Sequence, residues 1–177
     1  MRPDLRAAIR ARIRDIPDFP SPGIVFKDIT PLLGDAGLLA LSVESMAAPW
    51  RGQRVTHVAA PESRGFVFGA PVAIALGAGF VPLRKRGKLP WRTRQQAYAL
   101  EYGEDVVEAH EDAVGPGARV LVVDDVLATG GTAEAACRLM ESLGATVVGL
   151  SMLMSLDFLA GRERLAGRRV EALVRYA

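Results

Sequence analysis

The feature that most constrains this chain is an aliphatic run that ends in two aspartates and a loop of small residues. Residues 120–123 are all Val or Leu, Asp124 and Asp125 follow, and residues 128–132 read Ala-Thr-Gly-Gly-Thr before a helix-forming segment. A continuous aliphatic run is typical of a strand buried on both faces of a sheet. In open α/β sheets, ligands bind beyond the C-terminal ends of such strands. The acidic pair is therefore expected at a binding site.

The loop after the acidic pair has the composition of a phosphate-binding site. Its backbone N–H groups and the positive end of the next helix can bind one anion. Thr129 and Thr132 add hydroxyl donors, and the glycines let the backbone approach the ligand closely. The two carboxylates would repel the same phosphate, so we expect them to accept hydrogen bonds from vicinal sugar hydroxyls or to help hold a cation. A phosphate beside a diol indicates a ribose 5-phosphate.

Competing motifs fail on their spacing. No G-x-x-x-x-G-K-[ST] sequence occurs, and the Gly-x-Gly segments at 77–79 and 115–117 precede predicted strands instead of following them. Residues 61–65 nearly match the nucleophile elbow of hydrolases. However, a proline replaces the first glycine, and no buried strand precedes His110, which is the one later histidine. The remaining alternative, that the glycine loop is only a helix cap and turn, is disfavoured by the two aspartates that follow the buried run.

Composition limits the class of protein. The 177 residues suggest one domain, and 50% hydrophobic with 24% charged residues excludes a disordered chain, a collagen-like chain and a coiled coil. A net charge of +2 is too small for a general nucleic-acid binder. Cys137 is the only cysteine, which indicates a reducing, cytoplasmic compartment. Two histidines leave little material for a His/Cys metal site.

The order of elements predicts an α/β fold around a mostly parallel sheet. Strands are expected at 55–60, 80–83, 120–123 and 146–154, helices at 38–50, 65–76 and 132–143, and a hairpin from 98–102 and 106–109 around Gly103. The N-terminal segment is predicted to be an amphipathic helix, because apolar residues recur at helical spacing at Leu5, Ile9, Ile13 and Ile16. A proline-rich loop (16–23) and an extended segment (24–28) follow, and residues 156–177 are expected to form a short helix and a last strand.

The uncharged stretch 66–83 raises the question of a membrane span. It is interrupted by three glycines and two prolines, so it is predicted to be a buried helix, a turn and a buried strand instead. No membrane partner is expected.

A second candidate site is the basic run after the strand predicted at 80–83. Arg84, Lys85, Arg86 and Lys88 place four cations in five residues. A solvated charge run is the other interpretation, but a position at the ligand edge of the sheet favours anion binding. The polar residues 86–97 are expected to form a loop that closes over the site and excludes water.

These motifs resemble a known family. Residues 120–132 are similar to the phosphoribosyl-pyrophosphate motif of type I phosphoribosyltransferases, and further segments resemble the adenine-specific members in order and spacing: 19–29, 62–69, 84–90 and 98–103. The resemblance covers the chain from about residue 16 to its end. It implies the type I phosphoribosyltransferase fold, a mostly parallel sheet flanked by helices, as one domain over residues 1–177. A small N-terminal helix and base-binding hood would occupy residues 1–34 and a flexible catalytic loop residues 84–103.

The reaction that the resemblance implies belongs to purine salvage. Adenine and 5-phosphoribosyl 1-pyrophosphate would give AMP and pyrophosphate, with Mg²⁺ bound mainly through substrate oxygens, in a homodimer. Two alternatives stay open. One is transfer to another base such as hypoxanthine, guanine or orotate, against which the hood and the 98–103 segment argue. The other is a regulator that binds phosphoribosyl pyrophosphate without turnover, although the short segment before the hood is too small for a winged helix.

The resemblance also implies residue roles. Asp124 and Asp125 would hold the ribose hydroxyls. The loop that would hold the 5-phosphate consists of Ala128, Thr129, Gly130, Gly131 and Thr132. Pyrophosphate contacts are implied for Glu62, Ser63, Arg64, Arg84 and Lys88, with a cis peptide bond near Glu62–Ser63 and with Arg84 reaching across a dimer interface. The base would contact Val25, Phe26, Lys27 and Val126. The implied catalytic residues are Arg64 and Lys88, which neutralise the leaving group, and Glu101, which manages a proton on the purine.

Overall fold

The N-terminal part forms a small unit in the structure, a computed structural model that describes residues 3–100 and 103–177. It consists of α1 (Pro3–Ala11), the antiparallel strands β1 (Arg14–Ile16) and β2 (Phe26–Asp28), and α2 (Thr30–Leu33). The apolar spacing continues past the end of the helix, because α1 stops at Ala11 and Ile16, where the loop was predicted to begin, pairs with Phe26. Ile13 still reaches the core from the turn after α1. The apolar spacing therefore predicted burial correctly but not the backbone conformation.

The centre of the molecule is a seven-stranded sheet. In chain order its strands are β3 (His57–Pro61), β4 (Gly79–Lys85), β5 (Thr93–Leu100), β6 (Gly103–His110), β7 (Arg119–Leu127), β8 (Thr146–Leu156) and β9 (Val170–Tyr176). Their spatial order is β5-β6-β4-β3-β7-β8-β9. The five strands from β4 to β9 in this order are parallel, and β6 joins β4 in the antiparallel sense. The predicted α/β fold with a mostly parallel sheet is confirmed.

Helices cover both faces of the sheet and enclose two apolar cores. They are α3 (Ala36–Ala47), α4 (Arg64–Leu76), α5 (Gly131–Ser142) and the short α6 (Gly161–Arg164), with 3₁₀ turns at Ala48–Trp50 and Asp157–Leu159. Strand β7 lies between the cores. Val120 and Val122 belong to the cluster that contains α5, whereas Leu121 and Val123 belong to the cluster that contains α4. All four side chains are fully buried, which contributes roughly 1.5–3 kcal/mol each and confirms the two-sided burial expected of this run.

The basic loop is shorter than the sequence predicts. Arg84 and Lys85 end β4, and β5 begins at Thr93, so residues 86–92 form the connection. The predicted hairpin is present, with β5 and β6 paired from Thr93↔His110 to Leu100↔Gly103. Strand β5 was missed over its first half because the residues there are polar. An antiparallel edge strand with one solvated face does not need an aliphatic run.

The uncharged stretch 66–83 divides between α4 and β4, as predicted. Among residues 3–100 and 103–177, none of the helices has the length and apolar character needed to cross a membrane.

Candidate active site

A cleft of about 380 Å³ lies beyond the C-terminal ends of β3 and β7. These strands are parallel neighbours in register from His57↔Val120 to Ala59↔Val122, so both deliver their following turns to the same edge of the sheet. The cleft therefore unites two segments that are about 60 residues apart in the chain. The described residues that line it are Pro61, Glu62, Ser63, Arg64, Lys85, Tyr98, Asp105 and residues 124–133.

The two aspartates lie within β7, which runs on to Leu127. Asp125 is 2% exposed, Asp124 is half-buried, and the backbone N–H of Asp125 donates to Asp124 Oδ1 at 2.8 Å. Burial, together with the charge of Asp125, raises the pKa of Asp124 well above its usual range. Burial also raises the pKa of Asp125, although Arg64 opposes this rise. A buried carboxylate pair of this kind favours a ligand that brings hydrogen-bond donors to it.

Arg64 connects the acidic pair to the N-terminal unit. Its Nε lies 2.9 Å from Asp125 Oδ2, and its guanidinium carbon lies 5.1 Å from the centre of the Phe26 ring. Phe26 in turn makes an edge contact with Phe19, with ring centres 5.2 Å apart. The side chain of Arg64 therefore lies between Asp125 and Phe26, the residue that is expected to cover a base.

The glycine loop lines the cleft and leads into α5. Gly130 occupies the N-cap position with φ of 82°, a left-handed conformation that favours glycine. No side chain caps α5 at this end. The first N–H groups of any α-helix lack intrahelical partners, so those of α5 are available to an anion in the cleft. The residues predicted to hold a phosphate, from Ala128 to Thr132, all line the cleft wall.

The turn after β3 contains the cis peptide bond between Glu62 and Ser63 that the family resemblance implied. The Glu62 carboxylate accepts hydrogen bonds from Arg84 Nε, at 2.7 Å, and from the backbone N–H of Lys85. Partial burial opposes ionisation of Glu62, but these bonds keep its pKa below the usual range. In this structure Glu62 therefore fixes the start of the basic segment to the turn, while Ser63 and Arg64 face the cleft beside it.

Three residues that were predicted for the site, Val25, Lys27 and Lys88, are not among those that line the cleft. The Lys27 ammonium is 2.6 Å from Asp15 Oδ1 and lies over the Tyr176 ring, 4.3 Å from its centre, while Val25 is largely exposed. Lys88 is also exposed, in the loop after β4. Val126 does line the cleft. Glu101 lies outside the residues that the structure describes.

Among the lining residues that sequence reasoning did not assign to this cleft, three have polar side chains: Lys85, Tyr98 and Asp105. Tyr98 and Asp105 are opposite each other in the β5–β6 hairpin, and the Tyr98 hydroxyl donates to Asp105 Oδ2 at 3.1 Å. Lys85 Nζ lies 3.3 Å from the same oxygen. Burial opposes ionisation of Asp105, but hydrogen bonds from Val106 N–H, Lys85 and Tyr98 lower its pKa. The available signals were the basic run for Lys85 and the family segment for Tyr98, whereas nothing in the sequence marked Asp105.

Comparison with known proteins extends these observations. Residues 36–169 match the phosphoribosyl transferase domain. The adenine phosphoribosyltransferase of Myxococcus xanthus (strain DK1622) is 59% identical over 172 residues, which cover 97% of this chain and 94% of that relative. A crystal structure of the adenine phosphoribosyltransferase from Thermoanaerobacter pseudethanolicus superposes with a TM-score of 0.94 at 51% identity, covering 97% of this chain and 99% of that one. The Saccharomyces cerevisiae enzyme, solved with adenine and an imino-altritol bisphosphate, gives 0.91 at 37% identity, covering 96% and 98%.

The family match and the position of the cleft agree with each other. The matched region contains the turn after β3, the acidic pair and the glycine loop, which together line one cavity. Since relatives of this identity match the chain over almost its whole length, the chain belongs to the phosphoribosyltransferase family, and within it to the adenine phosphoribosyltransferases.

Proposed function

We propose that this chain transfers the 5-phosphoribosyl group of phosphoribosyl pyrophosphate to adenine and so forms AMP and pyrophosphate in purine salvage. The observation that carries the proposal is the single cleft in which the acidic pair of β7, the glycine loop and Arg64 meet beside Phe26. Each part suits one portion of the donor sugar or the acceptor base. Relatives with this activity match nearly the whole chain.

The glycine loop is assigned to the 5-phosphate and the aspartates to the ribose. The N–H groups of residues 128–132 and the Thr129 and Thr132 hydroxyls can donate to the phosphate oxygens. The ribose 2- and 3-hydroxyls would donate to Asp124 and Asp125. Fixing the sugar at both ends holds its C1 carbon at one place relative to the base, and such positioning is a large part of catalysis in a two-substrate reaction.

The chemical step exchanges one bond at C1 for another. The bond from C1 to pyrophosphate oxygen breaks with its electron pair, C1 gains oxocarbenium character, and N9 of adenine forms the new bond and gives up its proton. Positive charge around the departing pyrophosphate lowers the barrier. Arg64 and Ser63 in the turn after β3 would supply part of this environment. Lys88 of the basic segment would add further charge, as would an Arg84 side chain that reaches across the dimer interface. Glu62 would hold Arg84 in place.

The base is assigned to the N-terminal hood over residues 1–34. Phe26 would stack on one face of adenine and Val126 would contact the other, with backbone groups of residues 25–27 reading the adenine edge. Glu101 is proposed to accept or return the proton of the purine from the segment over residues 84–103, which would close over the cleft. Closure would exclude water and so protect the activated sugar from hydrolysis.

Magnesium is proposed to arrive with the substrate. Among the described residues, no three His, Cys, Asp or Glu side chains are grouped so as to hold a metal ion. Mg²⁺ commonly keeps several waters and binds through substrate phosphates with few protein ligands, which suits a cleft of this kind. When bound, the ion would neutralise charge on the pyrophosphate oxygens.

We propose that the protein is a homodimer in the cytoplasm. Helix α4 carries an apolar stripe at positions i, i+3, i+4 and i+7, formed by Val67, Ala70, Pro71 and Ile74, and in the single chain Ile74 is 82% exposed. An exposed stripe of this kind is typical of an interface. Arg84 would then serve the partner's cleft, in keeping with its position outside the wall of this one. The cytoplasmic assignment rests on the single cysteine.

The test is an assay of the purified protein with phosphoribosyl pyrophosphate, Mg²⁺ and four bases in turn: adenine, hypoxanthine, guanine and orotate. We expect AMP and pyrophosphate from adenine and little product from the others. A clear preference for another base would overturn the assignment of the acceptor. Heat from binding of phosphoribosyl pyrophosphate without any nucleotide product would instead support a regulator.

A further inference from the structure

The turn that begins α6 packs directly against the glycine loop. A Cβ built on Gly161 would overlap the carbonyl oxygen of Ala128 and would lie 2.9 Å from the backbone nitrogen of Gly130. In the other direction, a Cβ on Gly130 would lie 2.6 Å from the carbonyl oxygen of Gly161. The two backbones thus meet without a side chain between them. Gly130, which the sequence suggested was needed for close approach to a ligand, is also needed for close approach to α6.

The segment around Gly161 is anchored on both sides. Before it, the Asp157 carboxylate accepts hydrogen bonds from Ser155 Oγ and from Arg175 Nε, both at 2.7 Å. After it, Arg162 Nη1 donates to the carbonyl oxygen of Val170 at 3.1 Å, and Leu165 is 1% exposed in the core that contains α5. Two of these partners, Val170 and Arg175, belong to β9. The segment is therefore tied to the sheet, and a group inserted between it and the glycine loop would displace the loop.

We propose that Gly161 is a positioning residue for the 5-phosphate site. By allowing the α6 backbone to rest against Ala128 and Gly130, it sets the direction in which the N–H groups of the loop point into the cleft. Hydrogen-bonding sites need their donors within roughly 0.5 Å of the productive geometry, so a small shift of this loop weakens phosphate binding. The inference rests on the proposed function, because it assumes that the loop holds the 5-phosphate.

The experiment compares Gly161→Ala with Gly37→Ala as a matched control. Gly37 lies exposed in α3, where a Cβ would meet only Asp35 Oδ1, at an ordinary 3.5 Å. Titration calorimetry measures the affinities of AMP and adenosine, which differ only in the phosphate. We expect Gly161→Ala to weaken AMP binding about tenfold or more, as for one lost charge-assisted hydrogen bond, and to leave adenosine binding unchanged. The control should keep both affinities, and in kinetics the KM for phosphoribosyl pyrophosphate should rise while that for adenine does not.

Equal losses for AMP and adenosine, or no loss for either, would overturn the inference, because they would give the α6 contact only a general structural role. If Gly161→Ala does not fold, Asp157→Asn provides the second test, since it loosens the anchor of the same segment and should reduce the preference for AMP in the same direction. A wild-type protein that binds AMP no more tightly than adenosine would contradict the proposed function itself. The two failures are therefore distinguishable.

Discussion

At the scale of single residues, the acidic pair is proposed to bind substrate, but its burial lowers the stability of the folded protein when the carboxyls are ionised. Asp124 and Asp125 lie next to each other within β7, and the described residues place one cation, Arg64, in contact with Asp125. Burial raises the pKa of both carboxyls, which means that ionisation is less favourable in the folded protein than in the unfolded chain. A carboxylate pair whose ionisation is unfavourable in the folded protein is consistent with a role in binding, in which hydroxyl groups of a ligand donate hydrogen bonds to it.

Replacing Asp124 by Asn tests this conflict. A carboxyl whose pKa is raised by folding stabilises the protein when protonated, and this contribution is lost as the pH rises through the folded-state pKa. We therefore expect Asp124→Asn to raise the Tm at neutral pH. The difference should shrink as the pH falls and be smallest below 3.8, the usual pKa of aspartate, because only there is the wild-type group protonated in both the folded and the unfolded state. Turnover should fall about tenfold or more, as for a lost hydrogen bond to a charged group.

Thermal unfolding across a pH series and steady-state kinetics measure these two effects. Asp112→Asn is the matched control, because the same change is made at an exposed carboxylate outside the cleft, and it should alter neither quantity. A variant of Asp124 with lower Tm at neutral pH and unchanged turnover would contradict both the electrostatic account and the ribose assignment.

At the scale of elements, the β5–β6 hairpin shapes one wall of the cleft and holds the basic loop. Glu108 in β6 is 2% exposed, and its carboxylate accepts hydrogen bonds from the backbone N–H of Gly87 at 3.0 Å and from Gln95 Nε2 at 2.8 Å. Gly87 lies at the start of the loop 86–92, and Gln95 lies just after its end. One buried carboxylate thus joins both ends of the connection, which limits the movement available to a closing segment.

Glu108→Ala should loosen this connection. The change leaves the Gly87 N–H and the Gln95 amide without their acceptor, and the free energy of unfolding should fall by about 1–3 kcal/mol. Hydrogen exchange followed by mass spectrometry should show faster exchange over residues 86–95, with little change in β7 and β8. The matched control is Glu111→Ala, which removes an exposed carboxylate at the end of the same hairpin. Exchange rates equal to those of the control would contradict the proposed restraint.

Sequence reasoning succeeded where one segment carries the whole signal. The aliphatic run at 120–123 predicts a central strand, which is present, and residues 124–132 line one cleft as expected, because a strand, its turn and the next helix are contiguous in the chain. It failed where contacts join distant segments. The bonds of Glu62 to Arg84 and of Tyr98 to Asp105, and the contact of Gly161 with Gly130, depend on strand order and register. No local pattern in the amino-acid sequence encodes those relations.

At the scale of the whole molecule, the N-terminal unit packs against β9, the last strand of the sheet. Arg10 of α1 and Lys27 of β2 both lie over the ring of Tyr176 in β9, with their charged groups 4.4 and 4.3 Å from its centre. The N-terminal unit is thus fixed to the last strand of the sheet. Phe26, which precedes Lys27, extends from this base toward Arg64 at the cleft. Placement of the proposed base-binding residue therefore depends on contacts that span the entire chain.

The proposed dimer is a property of the whole molecule that one substitution can test. A charged side chain at the centre of an apolar interface costs about 2 kcal/mol or more. Ile74→Arg on the exposed stripe of α4 should therefore raise the dissociation constant at least about tenfold, as measured by sedimentation equilibrium. Leu41→Arg is the matched control, because Leu41 is an apolar residue on α3 that is 47% exposed and lies outside the stripe. It should leave the dimer intact.

If Arg84 serves the partner's cleft, Ile74→Arg should also lower turnover at protein concentrations below the new dissociation constant, and turnover should recover at concentrations above it. A monomeric wild-type protein, or an Ile74→Arg variant that dimerises as tightly as the control, would show that α4 is not the interface.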